Sequence, residues 1–378
     1  MKNAKRCLII ASYADSLVLF RGEMIAAIQD KNYEVHVVAP HLNSSNPIKE
    51  VLETKGIKTH SVPMNRTGTN PIHDFLTVAR LFFLIKRIKP DFVFSYTIKP
   101  VIYGTLAAYF AGVKKRFVMI TGLGYAFAQD AGANKSIIQN LAESLYRIAL
   151  KRASKIFFQN PDDQQLFASK LIFPSNIPSV VTNGSGVDVD KFIFTKIPHS
   201  KMQFLLIARL LKAKGIYEYV GAARKVKKQF PEAQFSLAGW IDQNPDAIDV
   251  NHLHQWVDEG VINYLGALED VREAIANSHV YVLPSYREGT PRTVLESMSM
   301  GRAIITTDVP GCRQTVIEGV NGYLVPARSA DELAITMTRF LKDPSLCISM
   351  GLASRRLVEE KYRVQKINQL LLSEMDII

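Results

Sequence analysis

Short apolar runs, rich in β-branched residues and seldom alternating with polar ones, recur along the chain. In the first half they fall at 6–11, 34–39, 58–62, 91–95, 116–120 and 155–159. In the second half they fall at 203–208, 234–238, 261–265, 279–283, 303–307 and 323–325. Such runs read as strands buried on both faces. Helical periodicity fills the gaps, as at Ile137, Leu141, Leu145 and Ile148. Strands alternating with helices predict parallel sheets covered on both sides, here in two sets, and so an α/β protein of two halves. Periodicity lapses over 190–201, where Pro198 and Ser200 stand. The expected division is therefore 1–190 and 191–360, followed by a helical stretch at 361–378.

Composition agrees with that division. A chain of 378 residues exceeds the size over which one hydrophobic core usually grows. Its 47% apolar and 21% charged content suits two buried sheets and argues against disorder. Three cysteines, Cys7, Cys312 and Cys347, are odd in number and far apart. They suggest a reducing compartment and support neither a disulfide framework nor a zinc site. Lys2, Lys5 and Arg6 precede an apolar run at 7–11 that is too short for a signal peptide, so a first strand is expected there. No apolar stretch is long enough to span a bilayer. The expected location is the cytoplasm, peripherally on the inner face of the membrane.

Charge changes this picture in one respect. Residues 1–190 hold 23 Lys and Arg against 14 Asp and Glu, a net of +9, whereas 191–378 hold 23 against 21. A basic half points to an anionic partner: nucleic acid, a phosphorylated acceptor or an acidic lipid surface. Basic clusters at Lys86-Arg87-Ile-Lys89, Lys114-Lys115-Arg116 and Lys151-Arg152 are interleaved with apolar helices, notably 75–88. Two readings stay open: a packed helix with a solvated basic end, or a helix that docks on a membrane surface.

The chemistry concentrates in Glu288-Gly-Thr-Pro-Arg-Thr-Val-Leu-Glu296. It lies between two of the apolar runs and reads as a loop followed by a helix. Thr290 is placed to cap that helix, Pro291 to open it and Gly301 to end it in the left-handed region. Both carboxylates can then face the crevice at the strand ends, where open α/β sheets bind ligands. The spacing resembles the Glu-x7-Glu motif of retaining glycosyltransferase family 4, which has the GT-B fold. Two further features carry the resemblance across the second half of the chain. Arg209 and Lys214 stand at the family's interval after the first strand of the second domain. Asn183-Gly-Ser-Gly-Val-Asp188, with Phe192, is similar to the interdomain junction, with two residues inserted. The resemblance implies two Rossmann-like domains facing a cleft, with a last helix that returns to the first domain.

It also implies roles. Breaking the bond between the sugar C1 and a phosphate oxygen builds negative charge on the diphosphate, which fixed cations stabilise. Arg209 and Lys214 are expected to bind it, helped by backbone N–H groups at Thr290–Thr293. Glu296 is expected to hold the ribose and Glu288 the donor sugar, with Gly289, Thr290, Pro291, Arg292 and Thr293 completing the donor site. On the acceptor side stand Ser12, Asp15, Lys99, Thr121 and Gly122. Two departures are plain: no glycine follows the first strand until Gly22, and Gly122 stands where many family members have a sugar-contacting His. Lys99 can be read as an acceptor-pyrophosphate ligand or as a solvated loop lysine.

The implied reaction is retaining transfer from a UDP-sugar to a lipid-linked saccharide, with no metal, no other cofactor and no nucleic-acid partner. A UDP-sugar epimerase of similar fold, or a non-catalytic nucleotide-sugar or nucleic-acid-binding protein, stays open as an alternative. A glycosidase carboxylate pair would not need the neighbouring Arg and Lys. Asp188-Val-Asp190 spells a metal-binding triplet but sits in the junction motif, and His252 and His254 have no third ligand at helical spacing. Asp242, Asp246 and Asp249 read as a solvated loop.

Overall fold

The computed structural model describes residues 5–65, 70–122, 133–241, 244 and 246–377, without the side chains of 133–138. The chain divides into two compact units. One comprises Met1–Ser185 with Gln365–Ile378; the other is Gly186–Val364.

The first unit is built on strands β1 (Lys5–Ile10), β2 (Tyr33–Ala39), β3 (Lys58–Ser61), β4 (Phe92–Tyr96), β5 (Lys115–Ile120), β6 (Lys155–Phe158) and β7 (Ser179–Val181). They pair in the order β3-β2-β1-β4-β5-β6-β7, all parallel. The second unit has β8 (Gln203–Ile207), β9 (Gln234–Ala238), β10 (Asn263–Tyr264), β11 (Val280–Leu283), β12 (Ala303–Thr307) and β13 (Gly322–Val325). Their order is β10-β9-β8-β11-β12-β13, again parallel throughout. In each sheet the order reverses beside the first strand. The ligand crevice of an open α/β sheet is therefore expected outside the C-terminal ends of β1 and β4, and of β8 and β11.

Alternate residues of the central strands feed opposite cores. Along β1, Leu8 and Ile10 join one cluster, while Cys7 and Ile9 join the other. In the second unit Phe204 and Leu206 face one core, and Leu205 and Ile207 the other. Burial on both faces is why these strands lack polar alternation. The final helix, Val364–Glu374, adds Ile367, Leu371 and Leu372 to a first-unit core, and Lys155 bonds Glu374 at 2.7 Å.

Four expectations need correction. The division falls between Ser185 and Gly186 rather than at 190, because Val187, Val189 and Phe192 are buried in the second unit's core. The return to the first unit begins at Gln365 rather than 361, since Tyr362 is buried with the second unit and its hydroxyl bonds the Gln314 carbonyl. β7 was not expected; it is a half-buried, three-residue edge strand, too short for a periodic signal. On the helix Ala133–Leu150, Leu141 and Ile148 are exposed, and Tyr146, Ala149 and Leu150 form its buried face.

Candidate active site

The second unit carries the groups expected to handle the donor. Arg209 follows β8 and is half-buried. The chain then turns through a short 3-10 segment, Lys212–Lys214. Asp246 holds this turn twice: its carboxylate accepts from the Ala213 N–H at 3.0 Å, and its carbonyl accepts from the Lys212 N–H at 2.8 Å. From the other side, the Ala213 carbonyl accepts from the Tyr286 N–H at 2.9 Å and the Ser285 hydroxyl at 3.1 Å. Gly215 has φ 72°, and a Cβ there would run into the Pro284 carbonyl. Only glycine permits this left-handed close approach between the loops after β8 and β11. Asp246 is thus a structural anchor of the site rather than part of a solvated loop. Asp249 is likewise engaged, accepting from the Asn251 N–H at 2.9 Å as a helix cap, and Asp242 lies outside the described residues.

Lys214 and Glu288, 19% and 14% exposed, form an ion pair through Nζ and Oε1. The Glu288 N–H donates to the Pro310 carbonyl at 3.1 Å. Gly311, with φ 83°, packs so tightly on the Glu288 and Gly289 carbonyls that it has no room for a side chain. Glu288 is thereby held between the loops that follow β11 and β12. Beneath them the Cys312 thiol is buried and pushed up to about 12, first by desolvation and then by Glu288.

The helix after Glu288 spans Arg292–Ser299. Its N-cap is Pro291, so Arg292 is the first helical residue and neither Thr290 nor Pro291 takes its expected place. The extended backbone at Pro291 (ψ 113°) keeps that residue just outside the helix, and proline has no side-chain acceptor with which to cap it. Gly301 ends the segment with φ 80°, and the Arg302 N–H bonds the Ser297 carbonyl at 2.9 Å. Glu296 is 7% exposed and accepts from Arg292 Nε at 2.7 Å, so it is no outward surface glutamate. Burial raises its pKa, against the opposing pull of Arg292 and Lys191. Gly289 is buried, whereas Thr290 and Thr293 are half-buried.

In the first unit, Ser12 and Thr97 stand at the ends of β1 and β4, the strands flanking the reversal, with their hydroxyls 2.8 Å apart. Thr97 has φ 70°, unusual for a β-branched residue and a form of strain that clusters at functional sites. Asp15 opens the helix Asp15–Leu19. Lys99 is mostly buried and bonds Asp74 at 2.8 Å, 5.8 Å from the Tyr103 ring centroid, so it is not a solvated loop lysine. Burial, and then the Asp74 carboxylate, pushes the Tyr103 hydroxyl upward in pKa. Thr121 and Gly122 follow β5 and are half-buried; residues 123–125 lie outside the described residues.

Asp188 uses its carboxylate on the backbone N–H groups of Asp190 and Lys191, at 2.9 and 3.1 Å, and Asp190 pairs with Arg363. Among the described residues no group of three or more His, Cys, Asp or Glu is arranged to hold a metal, and no helix is long and apolar enough to cross a membrane.

Comparison with known proteins places these observations. Residues 7–160 match the family model "Glycosyl transferase 4-like", and residues 201–343 match "Glycosyl transferases group 1". The chain is 28% identical, over 89% of both sequences, to the Campylobacter jejuni N,N'-diacetylbacillosaminyl-diphospho-undecaprenol alpha-1,3-N-acetylgalactosaminyltransferase. It is 22% identical to an Escherichia coli UDP-Gal:alpha-D-GlcNAc-diphosphoundecaprenol alpha-1,3-galactosyltransferase, over 91% of this chain and 89% of that one. Among solved structures it resembles sucrose-phosphate synthase from Thermosynechococcus elongatus, with TM-score 0.82, 17% identity and 98% of each chain covered. Anabaena Alr3699/HepE in complex with UDP has TM-score 0.77 and 16% identity, over 99% of this chain and 100% of that one. With two parallel α/β units matched in order by these two models, the chain belongs to the family 4-like glycosyltransferases of the GT-B fold.

Proposed function

We propose that the enzyme moves a hexose or N-acetylhexosamine, with retention, from a UDP-sugar to a polyprenyl-diphosphate-linked saccharide in bacterial surface polysaccharide or glycan biosynthesis. The observation that carries this reading is the placement of Arg209, Lys214, Glu288 and Glu296 after β8 and β11 of one sheet. The relatives' names supply the donor and acceptor classes: one names UDP-Gal, and two name a diphospho-undecaprenol saccharide.

In this reading Arg209 and Lys214 bind the diphosphate and stabilise charge as the C1–oxygen bond breaks. Charge-assisted bonds of this kind contribute about 1.5–3 kcal/mol each. Glu296 accepts from the ribose hydroxyls, and Glu288 from those of the sugar. The acceptor oxygen attacks from the face the diphosphate leaves, its proton passes to the departing phosphate, and UDP is released. The two side-chain cations serve where other enzymes use a divalent ion, so this reading includes no metal.

The acceptor side belongs to the first unit, where Ser12, Asp15, Lys99, Thr121 and Gly122 stand. The helix Pro71–Ile88 of that unit carries Ile72, Phe75 and Phe83 at 70%, 71% and 69% exposure, with Leu76 also exposed. Their spacing puts them on one helical face. Lys86 and Arg87 extend its C-terminal end, and both are exposed. An apolar stripe ending in basic residues suits an anionic lipid surface, where each basic group contributes about 1 kcal/mol. The enzyme would thus work peripherally, on the cytoplasmic face of the membrane that holds its acceptor.

Screening UDP-Gal, UDP-GalNAc, UDP-Glc, UDP-GlcNAc and GDP-mannose for protection against thermal unfolding tests the donor, because a ligand of the native state raises the midpoint by linkage. One UDP-sugar should raise it and then be consumed only with a polyprenyl-diphosphate saccharide present. Consumption without acceptor would favour an epimerase, and protection by none of them would sink the proposal.

A further inference from the structure

Tyr281, in the middle of β11, is fully buried. Its hydroxyl lies 2.9 Å from the Ile207 carbonyl oxygen and 2.6 Å from the Thr293 hydroxyl. Ile207 is the last residue of β8, just ahead of Ala208 and Arg209, and Thr293 lies in the first turn of the helix that carries Glu296. The carbonyl can only accept, and the Thr293 hydroxyl accepts from the same phenol, so one donor ties the end of β8 to the start of that helix. Burial raises the Tyr281 pKa, which keeps the phenol neutral and this arrangement in place.

We infer that Tyr281 is a positioning residue for the donor diphosphate. Its hydroxyl fixes the separation between the strand end that presents Arg209 and the helix start that presents the backbone N–H groups after Pro291. A diphosphate bridging the two meets them already spaced, which is where rigid support of a binding site has its effect. The inference rests on the donor site proposed above, and it concerns the phosphate contacts within that site.

The test compares UDP with uridine by calorimetry, on wild type, Tyr281→Phe, Thr293→Val, Thr293→Ser and the Tyr281→Phe/Thr293→Val double variant. Tyr281→Phe keeps the ring and removes only the hydroxyl, so the core should stay packed. UDP affinity should fall about three- to tenfold, the scale of one lost hydrogen bond, while uridine affinity stays within twofold. Thr293→Val should match that loss, Thr293→Ser should restore most of it, and the double variant should lose little more than either single one. Unchanged UDP affinity in Tyr281→Phe, or equal loss for UDP and uridine, would overturn the inference and leave the donor site standing. A wild-type protein that binds neither UDP nor uridine would remove the donor site and the inference together.

Discussion

Lys214 and Glu288 meet in an ion pair across the loops that follow β8 and β11. The cation proposed for the diphosphate and the carboxylate proposed for the sugar thus hold one another. An ammonium has three donors, so Lys214 can bond phosphate and Glu288 together. The pair also compensates two mostly buried charges.

Arg209→Ala and Lys214→Ala should each lower sugar transfer at least about a hundredfold, the typical loss when one charge-stabilising donor is removed. Initial rates on folded variants, checked by circular dichroism, decide the matter. Near-normal turnover in Arg209→Ala would contradict its role at the leaving group.

The two carboxylates should separate by ligand and by pH. Glu296→Gln is expected to weaken UDP, and Glu288→Gln to spare UDP while impairing transfer. Glu296 has a raised pKa from burial, so acidification should protonate it above the usual carboxylate range. UDP affinity should therefore begin to fall there in wild type, whereas Glu296→Gln should stay flat. Stability runs in the opposite sense. A raised folded pKa contributes stability below the ordinary value of 4.5 and loses it as pH rises through the folded pKa. The melting temperature of Glu296→Gln relative to wild type should rise over that interval. Calorimetric titration and melting across pH 3 to 8, roughly spanning both regimes, provide the check.

The turn that carries Lys214 should be sensitive at Gly215 and Asp246. Gly215→Ala puts a side chain at φ 72° against the Pro284 carbonyl, and left-handed geometry alone costs about 1–2 kcal/mol. Its melting temperature and UDP affinity should both drop. Asp246→Ala should weaken UDP about tenfold or more, on the scale of a lost charge-assisted bond, and Asp246→Asn should restore much of it by keeping an acceptor oxygen. Wild-type affinity in Asp246→Ala would show that the turn holds without it.

Membrane docking should need both the basic end and the apolar stripe. Replacing Lys86, Arg87 and Lys89 with Ser should reduce co-sedimentation with acidic vesicles, and Phe75→Ser/Phe83→Ser should do the same. UDP affinity should not change in either, since the donor residues belong to the other unit. Binding should weaken as salt rises, because such attraction is screened beyond about 10 Å at 0.1 M. Equal binding to neutral and acidic vesicles, or none to either, would return these residues to an ordinary solvated surface.

Much of this was legible in the residues themselves. Twelve of the strands are foreshadowed by the runs, and the central ones most plainly, because a strand buried on both faces must be continuously apolar; the edge strands β3 and β10 are only partly buried. Spacing likewise put Glu288 ahead of a helix and Glu296 within it, since the 3.6-residue repeat is local. Only the tertiary structure decided which distant groups meet. That Lys214 pairs with Glu288, that Asp246 pins the turn between Leu211 and Gly215, and that Tyr281 reaches both Ile207 and Thr293 depend on parallel pairing of β8 with β11 on one side and with β9 on the other. No local pattern encodes such register. The same holds for the ends of the units: in sequence Val187 falls in the junction motif and Tyr362 in the last helical stretch, yet the second core claims both because it offers apolar surface to bury them against.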